Sequence, residues 1–482
     1  MEWTAKTLAE AVQGTLYGDV NARTAGCVLD SRQVQQGNLF IAFSGAQTDG
    51  HAYLQGAWDQ GAAVVIGEKA GVEKYVHTDH IPEGKALIVV DNSLQSMQNL
   101  AKSRVHKLGV KVVGITGSNG KTTTKDMTAA VLSRKYKVYA SQGNHNNELG
   151  LPLTILNAPE DTEILILEMG MRGLGQIKAL CEIAPPHVAV ITNIGTTHME
   201  LLGTQENIAR AKWELVEALP RDSYAVLNAE DLWSVKKSRE VYHPVRFYGM
   251  EGKYALPDVQ GMGEKAAGVL GTEFTVTWGA EKATTVLPLP GRHNVLDALA
   301  ALTVGTLFHV SLAEGCESLK ELQLTKMRLE LLTGLEGSTL ISDVYNANPV
   351  SMQASLRILK ERGSGHYTVA VLGDMYELGD LAVEGHRQVG RAAAQLKMDA
   401  LITVGPLAEE IGTGALEKGF DRERLMACTT TQAASELVRN LLREHQGAWV
   451  LLKGSRGMKM EEITADLLDS LPNKQEKEGI LR

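Results

Sequence analysis

A glycine-rich segment at residues 114–124 constrains the fold more than any other part of the chain. It reads Gly-Ile-Thr-Gly-Ser-Asn-Gly-Lys-Thr-Thr-Thr, after the β-branched run 111–113 and before a helical pattern at 125–132. A buried strand, a glycine-rich turn, a Lys-Thr pair and a helix are together typical of a phosphate-binding loop. Glycines let backbone N–H groups turn inward, and the helix N-terminus adds partial positive charge. The segment predicts a nucleotide site in an α/β domain.

Two side chains of this loop have predicted roles. Lys121 should reach the β- and γ-phosphates, and the Thr122 hydroxyl should bind Mg²⁺. The spacing departs from the general pattern, because the first glycine is residue 114 instead of 115. The co-occurrence of strand, loop and helix nevertheless favours a nucleotide site over an ordinary turn. The residues expected to contact the nucleotide are Gly117, Ser118, Asn119, Gly120, Lys121, Thr122 and Thr123.

Composition excludes several classes of partner. The net charge is −9 without a Lys/Arg block, which argues against nucleic-acid binding. The 4 cysteines are scattered without a C-x-x-C pair, which argues against a disulfide framework or a zinc site. The first residues lack the apolar stretch of a signal peptide, and no apolar run is long enough to span a bilayer. We therefore expect a cytoplasmic protein without membrane insertion.

Apolar runs that alternate with helical patterns predict three α/β domains, at 1–98, 99–318 and 319–482. The first is small. The second carries the phosphate loop on a parallel sheet and a β-rich insertion at 222–290, in which the Gly279-Ala280 turn predicts a hairpin. The third is Rossmann-like in its alternation but lacks G-x-G-x-x-G, so we expect no dinucleotide.

Polar residues follow the predicted strands of the central domain. Glu168 follows the strand 164–167, and His198 comes shortly after the strand 188–191. Ligands collect at the carboxyl ends of parallel strands, so these residues should lie beside the phosphate loop. Glu168 offers an oxygen that suits Mg²⁺. His198 is a less typical magnesium ligand, since a single histidine is more often structural.

Three further residues have two open interpretations each. Lys212 lies on an apolar helical stripe, so it either extends its amine to solvent or acts in a low-polarity site. Asn146 belongs to an Asn-rich stretch that is either a solvated loop or a site loop. Arg32, after Ser31 at a predicted strand end, suits an anion or uracil contact or a local pair with Asp30 at a surface turn.

The third domain places polar clusters after three of its predicted strands, at 343–349, 373–379 and 453–456. Strand-end clusters on successive strands indicate one cleft instead of three unrelated loops. The first cluster contains Asp343, Tyr345, Asn346 and Asn348.

Several of these segments resemble the Mur ligases and their folylpolyglutamate synthase relatives. They are the loop T-G-[ST]-N-G-K-[ST], the segment N-x-N-N-E-x-G-x-P at 144–152 and the G-x-H-N motif at 291–294. The resemblance implies an enzyme that forms an amide bond at the cost of ATP, with Mg²⁺, through an acyl phosphate. It further implies that Lys121, His198, Lys212 and Arg328 take part in catalysis.

The resemblance also implies individual contacts in the ATP site. The family places a metal-site histidine at position 198, carbamylates a lysine in the segment of Lys212 so that the carbamate binds a second Mg²⁺, and lets an arginine at position 328 approach the γ-phosphate. His293 and Asn294 would meet the adenine side of ATP. Position 297 is Asp where the family usually has Asn. The implied metal-site residues are Thr122, Glu168, His198 and Lys212.

The remaining motifs concern the substrates. The D-S-R motif at 30–32 is similar to the family's UDP-binding first domain, which implies that Ser31 and Arg32 hold the UDP part of a UDP-muramoyl-peptide. The third-domain motifs resemble the branch that adds D-alanyl-D-alanine to UDP-N-acetylmuramoyl-tripeptide, the last cytoplasmic step of peptidoglycan precursor synthesis. Asn146, Asp343, Tyr345, Asn346 and Asn348 would then bind substrate. We expect a monomer.

Two rival functions stand beside that branch. One is a family ligase that adds a single amino acid, but its D-N-P-R motif is missing here. The other is a P-loop switch or transport ATPase, which would hydrolyse ATP without either peptide substrate.

Overall fold

The fold is taken from a computed structural model that describes residues 3–45, 48–322 and 327–468. Within these residues, successive α/β regions are each built on their own main sheet. The predicted α/β class and the order of the domains are confirmed. The structure also places helix α4 (Ser93–Leu108) across the boundary predicted at residue 98, so the first domain passes into the second through a continuous helix.

The first domain has a main sheet in the order β2-β7-β6-β5-β4, and β1 pairs with β3 beside it. The predicted strand through Arg32 is wrong at its end, because the Asp30 side chain accepts from the Arg32 N–H and starts a 3₁₀ turn at Ser31–Gln33. The strands are β1 (Trp3–Thr4), β2 (Thr15–Gly18), β3 (Arg23–Thr24), β4 (Cys27–Val28), β5 (Leu39–Ile41), β6 (Val64–Glu68) and β7 (Ala86–Val90). The helices before α4 are α1 (Ala5–Val12), α2 (Leu54–Asp59) and α3 (Lys69–Tyr75).

The central sheet runs in the order β16-β15-β14-β13-β12-β11-β8-β10-β9. Its strands are β8 (Lys111–Thr116), β9 (Val138–Ala140), β10 (Ile164–Glu168), β11 (Val188–Ile191), β12 (Tyr224–Asn228), β13 (Val245–Gly249), β14 (Val259–Ala267), β15 (Gly271–Trp278) and β16 (Glu281–Leu287). Its helices are α5 (Lys121–Leu132), α6 (Gly150–Leu156), α7 (Gln176–Ile183), α8 (Met199–Leu202), α9 (Gln205–Glu217), α10 (Leu232–Ser238), α11 (Arg292–Leu307) and α12 (Leu312–Lys320).

The predicted β-rich insertion is part of this same sheet. Strand β14 pairs parallel with β13, and the antiparallel strands β15 and β16 then extend the edge. The hairpin predicted around Gly279-Ala280 is confirmed as the turn between β15 and β16. The segment also contains helix α10, which the β-rich description missed.

The third sheet runs in the order β17-β18-β22-β19-β20-β21, with only β17 antiparallel within the described residues. Its strands are β17 (Glu330–Thr333), β18 (Thr339–Ser342), β19 (Thr368–Gly373), β20 (Ala400–Val404), β21 (Leu425–Cys428) and β22 (Trp449–Lys453). Its helices are α13 (Pro349–Arg362), α14 (Ala382–Gln395), α15 (Glu409–Glu417), α16 (Thr431–Glu444) and α17 (Glu461–Asp466). Arg328, for which the family resemblance implies a contact with the γ-phosphate, lies two residues before the start of β17.

The strands that hold the site are buried on both faces. Along β8, Val112 packs into the core on one face of the sheet, whereas Val113 and Ile115 pack into the core on the other. Burying each such side chain contributes about 1.5–3 kcal/mol. The ends of β8, β10 and β11 are therefore rigid supports for the loops that follow them. Among the described residues, no helix is long and apolar enough to cross a membrane.

Candidate functional site

The predicted phosphate loop has the expected strand–loop–helix form. Strand β8 ends at Thr116, residues 117–120 form the turn, and α5 begins at Lys121. Gly117 has φ 155° and Gly120 has φ 81°, a region that side chains disfavour. A Cβ at Gly117 would also collide with the Thr192 hydroxyl. The two glycines are therefore required by the path of the backbone.

Side chains that follow β11 fix this loop from the neighbouring strand. The Thr192 hydroxyl donates to the Asn119 carbonyl at 2.5 Å, and the Asn193 amide donates to the same oxygen at 3.0 Å. In return, the Asn119 N–H donates to Asn193 Oδ1 at 3.1 Å. Sequence reasoning missed this pair, although a polar Thr-Asn directly after a buried strand was the available signal. The contacts hold the loop in position before any nucleotide binds.

Two lysines converge on one carbonyl oxygen of the loop. Lys121 Nζ donates to Gly117 O at 2.9 Å, and Lys212 Nζ, from α9, donates to the same oxygen at 3.0 Å. Burial lowers the pKa of both amines, and the Lys121 charge lowers the pKa of Lys212 further. Lys212 is only 2% exposed, so it does not extend to solvent. The arrangement places two amines side by side where an anion would bind.

An oxygen-rich pair lies beside these lysines. The Thr122 hydroxyl donates to Glu168 Oε2 at 2.7 Å, and the Asn146 amide donates to Glu168 Oε1 at 2.8 Å. The structure thus brings together Thr122, Glu168 and Asn146 as predicted. Mg²⁺ usually binds one or two protein oxygens together with phosphate oxygens and water. The donor set of Thr122 and Glu168 fits that requirement.

His198 also lines the cleft but has a different partner. Its Nδ1 lies 2.8 Å from Glu377 Oε2 of the third domain. This contact lowers the pKa of Glu377. Among the described residues, no cluster of three or more His, Cys, Asp or Glu side chains forms a metal site. A magnesium contact by His198 remains a prediction, and it would involve Nε2, since Nδ1 faces Glu377.

The first turns of α11 face the phosphate loop. The Asn294 amide donates to Pro290 O at 2.7 Å and is buried, whereas His293 is open to the cleft. Asp297 packs against Gly120 and accepts from the Thr124 hydroxyl at 3.1 Å. Burial raises the pKa of Asp297 to about 8. His293 is thus available to a ligand, while Asn294 mainly holds the turn.

The third domain meets this loop across the cleft. Arg328 Nη2 donates to the Thr122 hydroxyl at 2.9 Å, and its guanidinium lies 4.2 Å from the centre of the Tyr345 ring. The Asn348 amide donates to Asn119 Oδ1 at 2.6 Å while its own oxygen caps α13. The predicted residues Arg328, Tyr345 and Asn348 therefore lie beside the nucleotide loop, and the two domains are closed onto each other.

A buried ion pair shapes the third-domain wall. Lys453 Nζ donates to Asp343 Oδ2 at 2.6 Å and to Asn346 O at 2.9 Å. Burial alone would raise the pKa of Asp343, but Lys453 and the Ser355 hydroxyl together lower it. The pair fixes the loop 343–348, and the Asn346 side chain is left exposed. The cluster 453–456 was predicted to face one cleft with the other strand ends, but no role was predicted for Lys453 itself.

Ser31 and Arg32 lie outside this cleft. The Arg32 side chain is 87% exposed, and its Nη2 donates to Asp30 Oδ2 at 2.6 Å. Of the two interpretations left open for Arg32, the geometry contains the local Asp–Arg pair. No described residue before Gln98 lines the cleft. The contact of Ser31 and Arg32 with a UDP group stays a prediction.

The cleft between the central and third domains has a volume of about 1380 Å³. Ligand pockets usually measure about 300–1,000 Å³, so this cleft has room for more than a single nucleotide. A phosphate loop on a parallel sheet, completed by an arginine of a second α/β domain, defines a class of P-loop enzymes whose nucleotide site lies between two domains.

Comparisons with known families agree with this class. The pattern described as "Mur ligase family, catalytic domain" matches residues 23–115, "Mur ligase middle domain" matches 115–305, and "Mur ligase, glutamate ligase domain" matches 327–456. The chain belongs to the Mur ligase family.

Several relatives match nearly the whole chain. A UDP-N-acetylmuramoyl-tripeptide–D-alanyl-D-alanine ligase of Bacillus subtilis is 39% identical over 97% of this chain and 98% of its own. A crystal structure of MurF from Acinetobacter baumannii has a TM-score of 0.84 and 30% identity, covering 98% of this chain and 99% of that one. MurF ligase from Thermotoga maritima in complex with ADP has a TM-score of 0.75 and 29% identity, covering 92% and 96%.

Proposed function

We propose that this protein is an ATP-dependent ligase that joins D-alanyl-D-alanine to UDP-N-acetylmuramoyl-tripeptide. The observation that carries the proposal is the contact of Arg328 with Thr122, because it closes a cation of the third domain onto the phosphate loop of the second. The names of relatives that match over the full length support the choice of substrates. The ADP complex of a similar structure supports the choice of nucleotide.

The proposed reaction has two steps. A carboxylate oxygen of the tripeptide attacks the γ-phosphorus of ATP, the bond to the β-phosphate oxygen breaks, and ADP leaves with an acyl phosphate formed. The neutral amine of D-alanyl-D-alanine then attacks the acyl carbon, and inorganic phosphate leaves as the amine loses its proton. A carboxylate needs this activation because its oxygen is otherwise a poor leaving group.

The chain's own residues align and clamp the anions of this reaction. Lys121 and the loop N–H groups bind the β- and γ-phosphates, and Arg328 faces the transferred phosphoryl group from the other domain. His293, which lines the cleft, would contact the nucleotide base. Closing the third domain also excludes water, which would otherwise hydrolyse an acyl phosphate.

Thr122 and Glu168 would hold Mg²⁺, which supplies charge neutralisation of the phosphate oxygens when it is bound. His198 would join them through its second ring nitrogen, with Nδ1 kept in place by Glu377. Lys212 would supply a further oxygen ligand as a carbamate. Its amine is buried and its pKa is lowered, which favours the neutral form that reacts with CO₂. These metal contacts are part of the proposal.

Substrate contacts complete the proposal. Asn146 faces the tripeptide side, the loop with Asp343, Tyr345, Asn346 and Asn348 faces the dipeptide, and the first domain holds the UDP group through Ser31 and Arg32. A ligase that uses ATP and a UDP-linked precursor would act in the cytoplasm. A single-amino-acid ligase of the same family is less supported, because the full-length relatives carry the dipeptide-ligase name.

The test is substrate dependence of ATP turnover. Purified protein with ATP and Mg²⁺ should release phosphate only when both UDP-N-acetylmuramoyl-tripeptide and D-alanyl-D-alanine are present, and mass spectrometry should find the pentapeptide product. Ligation of free lysine or diaminopimelate to a UDP-linked dipeptide would instead support the single-amino-acid alternative. ATP hydrolysis without either peptide substrate would support a switch or transport ATPase.

A further inference from the structure

We propose that Arg456 binds the C-terminal carboxylate of the incoming dipeptide and selects substrates that end in a free acid. This inference rests on the proposed ligase function and assigns one of its subsites. It follows from the carboxylate that a dipeptide brings into the cleft and from the cations there that still have N–H groups to donate.

The substrate sets a geometric demand. Its amine must reach the acyl phosphate beside Lys121 and Arg328, while its carboxylate lies about 7 Å away, since extended residues span about 3.3–3.6 Å each. A carboxylate that loses water in a cleft needs a cation or several N–H donors. A second cation on the third-domain wall, at a short distance from Arg328, would meet this demand.

The described third-domain residues that line the cleft include three cations, which differ in the N–H groups that they have left to donate. Arg328 donates to Thr122 at the phosphate end, and Lys453 is buried against Asp343. Arg172, on the opposite wall, is 75% exposed and lies 3.6 Å from Glu377. Arg456 is the third cation of the third-domain wall.

Arg456 is held on one side and open on the other. Its Nη1 donates to Glu461 Oε1 at 2.8 Å and lies 3.1 Å from Met327 Sδ. Its Nε and Nη2 donate to no described residue, and 41% of the side chain is exposed. A guanidinium fixed by one carboxylate with further N–H groups free can bind a second carboxylate in a defined orientation.

Its position relative to the reacting end also fits. Arg456 Nη1 contacts the sulfur of Met327, the residue directly before Arg328, so the two guanidinium groups lie on the same stretch of the wall. In agreement, burial raises the pKa of Tyr345 and the charges of Arg328 and Arg456 both oppose that rise. The Tyr376 N–H donates to Ser455 Oγ at 2.9 Å, and the Tyr376 ring packs closely over Gly457, which fixes the loop carrying Arg456. A dipeptide lying along Tyr345 would therefore extend from Arg328 towards Arg456.

The experiment compares D-alanyl-D-alanine with its C-terminal amide in steady-state ligation. Wild-type protein should prefer the acid by about 10- to 100-fold in kcat/KM, the range for one charge-assisted contact. In Arg456→Ala the KM for the acid should rise by a similar factor, while the KM for ATP stays unchanged. The preference for acid over amide should fall to within about threefold of unity, because the charge that distinguishes them is gone.

Matched variants separate recognition from folding. Glu461→Gln removes the acidic partner of Arg456 but keeps the guanidinium, so it should retain the preference for the acid. The double variant Arg456→Gln with Glu461→Gln leaves no charge unpaired at this site and should lose the preference, which keeps the test valid if Arg456→Ala does not fold. Arg424→Ala, at an exposed site of the same domain, controls for surface charge.

The outcomes distinguish this inference from the function on which it rests. If wild-type protein does not ligate D-alanyl-D-alanine, the proposed function fails. If it does, but the double variant discriminates acid from amide as well as wild type does, Arg456 does not bind the carboxylate and the inference is overturned.

Discussion

The two walls of the cleft differ in how their cations are paired. On the central-domain wall, Lys121 and Lys212 share one carbonyl oxygen, and their pKa values are lowered by burial. On the third-domain wall, Lys453 and Arg456 are each paired with a carboxylate of their own domain. Unbalanced charge suits a ligand as anionic as a nucleotide triphosphate, whereas balanced pairs suit a substrate that carries both charges. Removing a cation from the central-domain wall should therefore reduce catalysis, whereas removing one from the third-domain wall should reduce stability.

The largest expected effect is on the central wall, in Lys121→Ala. Removing the cation nearest the transferred phosphoryl group should lower kcat by about 10³- to 10⁵-fold, the range for a single phosphate-clamping cation. The fold should survive, because a crowded positive charge is lost without leaving a partner charge unpaired. Phosphate-release assays measure the loss of turnover, and circular dichroism checks that the fold is retained. Near-normal turnover would contradict the assignment of the ATP site.

The matched change on the third-domain wall is Lys453→Met, which should mainly lower stability. It leaves Asp343 without its partner, so the free energy of unfolding should fall by about 3 kcal/mol or more. The double variant with Asp343→Asn should recover most of that loss. Chemical denaturation measures both, with Lys418→Met as an exposed control in the same domain. A single variant as stable as wild type would contradict the contrast between the walls.

Lys212→Met sharpens the comparison, since activity and stability should move in opposite directions. We expect turnover to fall by about 100-fold, because a cation or carbamate beside the phosphate loop is lost. Stability should stay the same or rise, because a buried amine is replaced by an apolar side chain of similar size. Bicarbonate supplies the CO₂ that carbamylates a lysine amine. Methionine has no amine, so added bicarbonate should not restore the activity of Lys212→Met. Full activity of Lys212→Met, matching the exposed control Lys178→Met, would show that Lys212 has no chemical role.

The smallest effect concerns Asp297, a buried acidic residue of the central-domain wall. Its pKa is raised to about 8 in the folded protein, against about 3.9 in an unfolded chain. Between those values the folded state keeps a proton that the unfolded state loses, so the free energy of unfolding falls as pH rises, by at most about 1.4 kcal/mol per unit. Above about pH 8 the loss stops.

Asp297→Asn removes this titration. Relative to the variant, wild-type protein should lose about 1–2 kcal/mol between pH 6 and pH 8 after allowance for relaxation of the site. Parallel urea titrations at each pH measure the difference, and curves that stay parallel across this range would show that Asp297 is ionised throughout.

Local patterns were enough to predict the parts of the site that depend on adjacent residues. The turn at Gly117 and Gly120 follows from β-branched residues before it and helix formers after it, and the hairpin at Gly279 follows from its flanking strands. The polar strand ends that face one cleft were predicted because parallel strands align their carboxyl ends. Failures occurred where a side chain competes with the strand, as Asp30 does by capping the turn at Ser31.

The sequence by itself determined the three α/β regions, the phosphate loop and the residue types of the site, because hydrophobic period and glycine placement act over short stretches of chain. Only the tertiary structure decided the partners: Lys453 with Asp343, Asn348 with Asn119 and His198 with Glu377. These pairs join residues more than 100 positions apart, and their selection depends on how the sheets pack and how the domains close. Charge and geometry over such separations are set by the folded core, which no local pattern encodes.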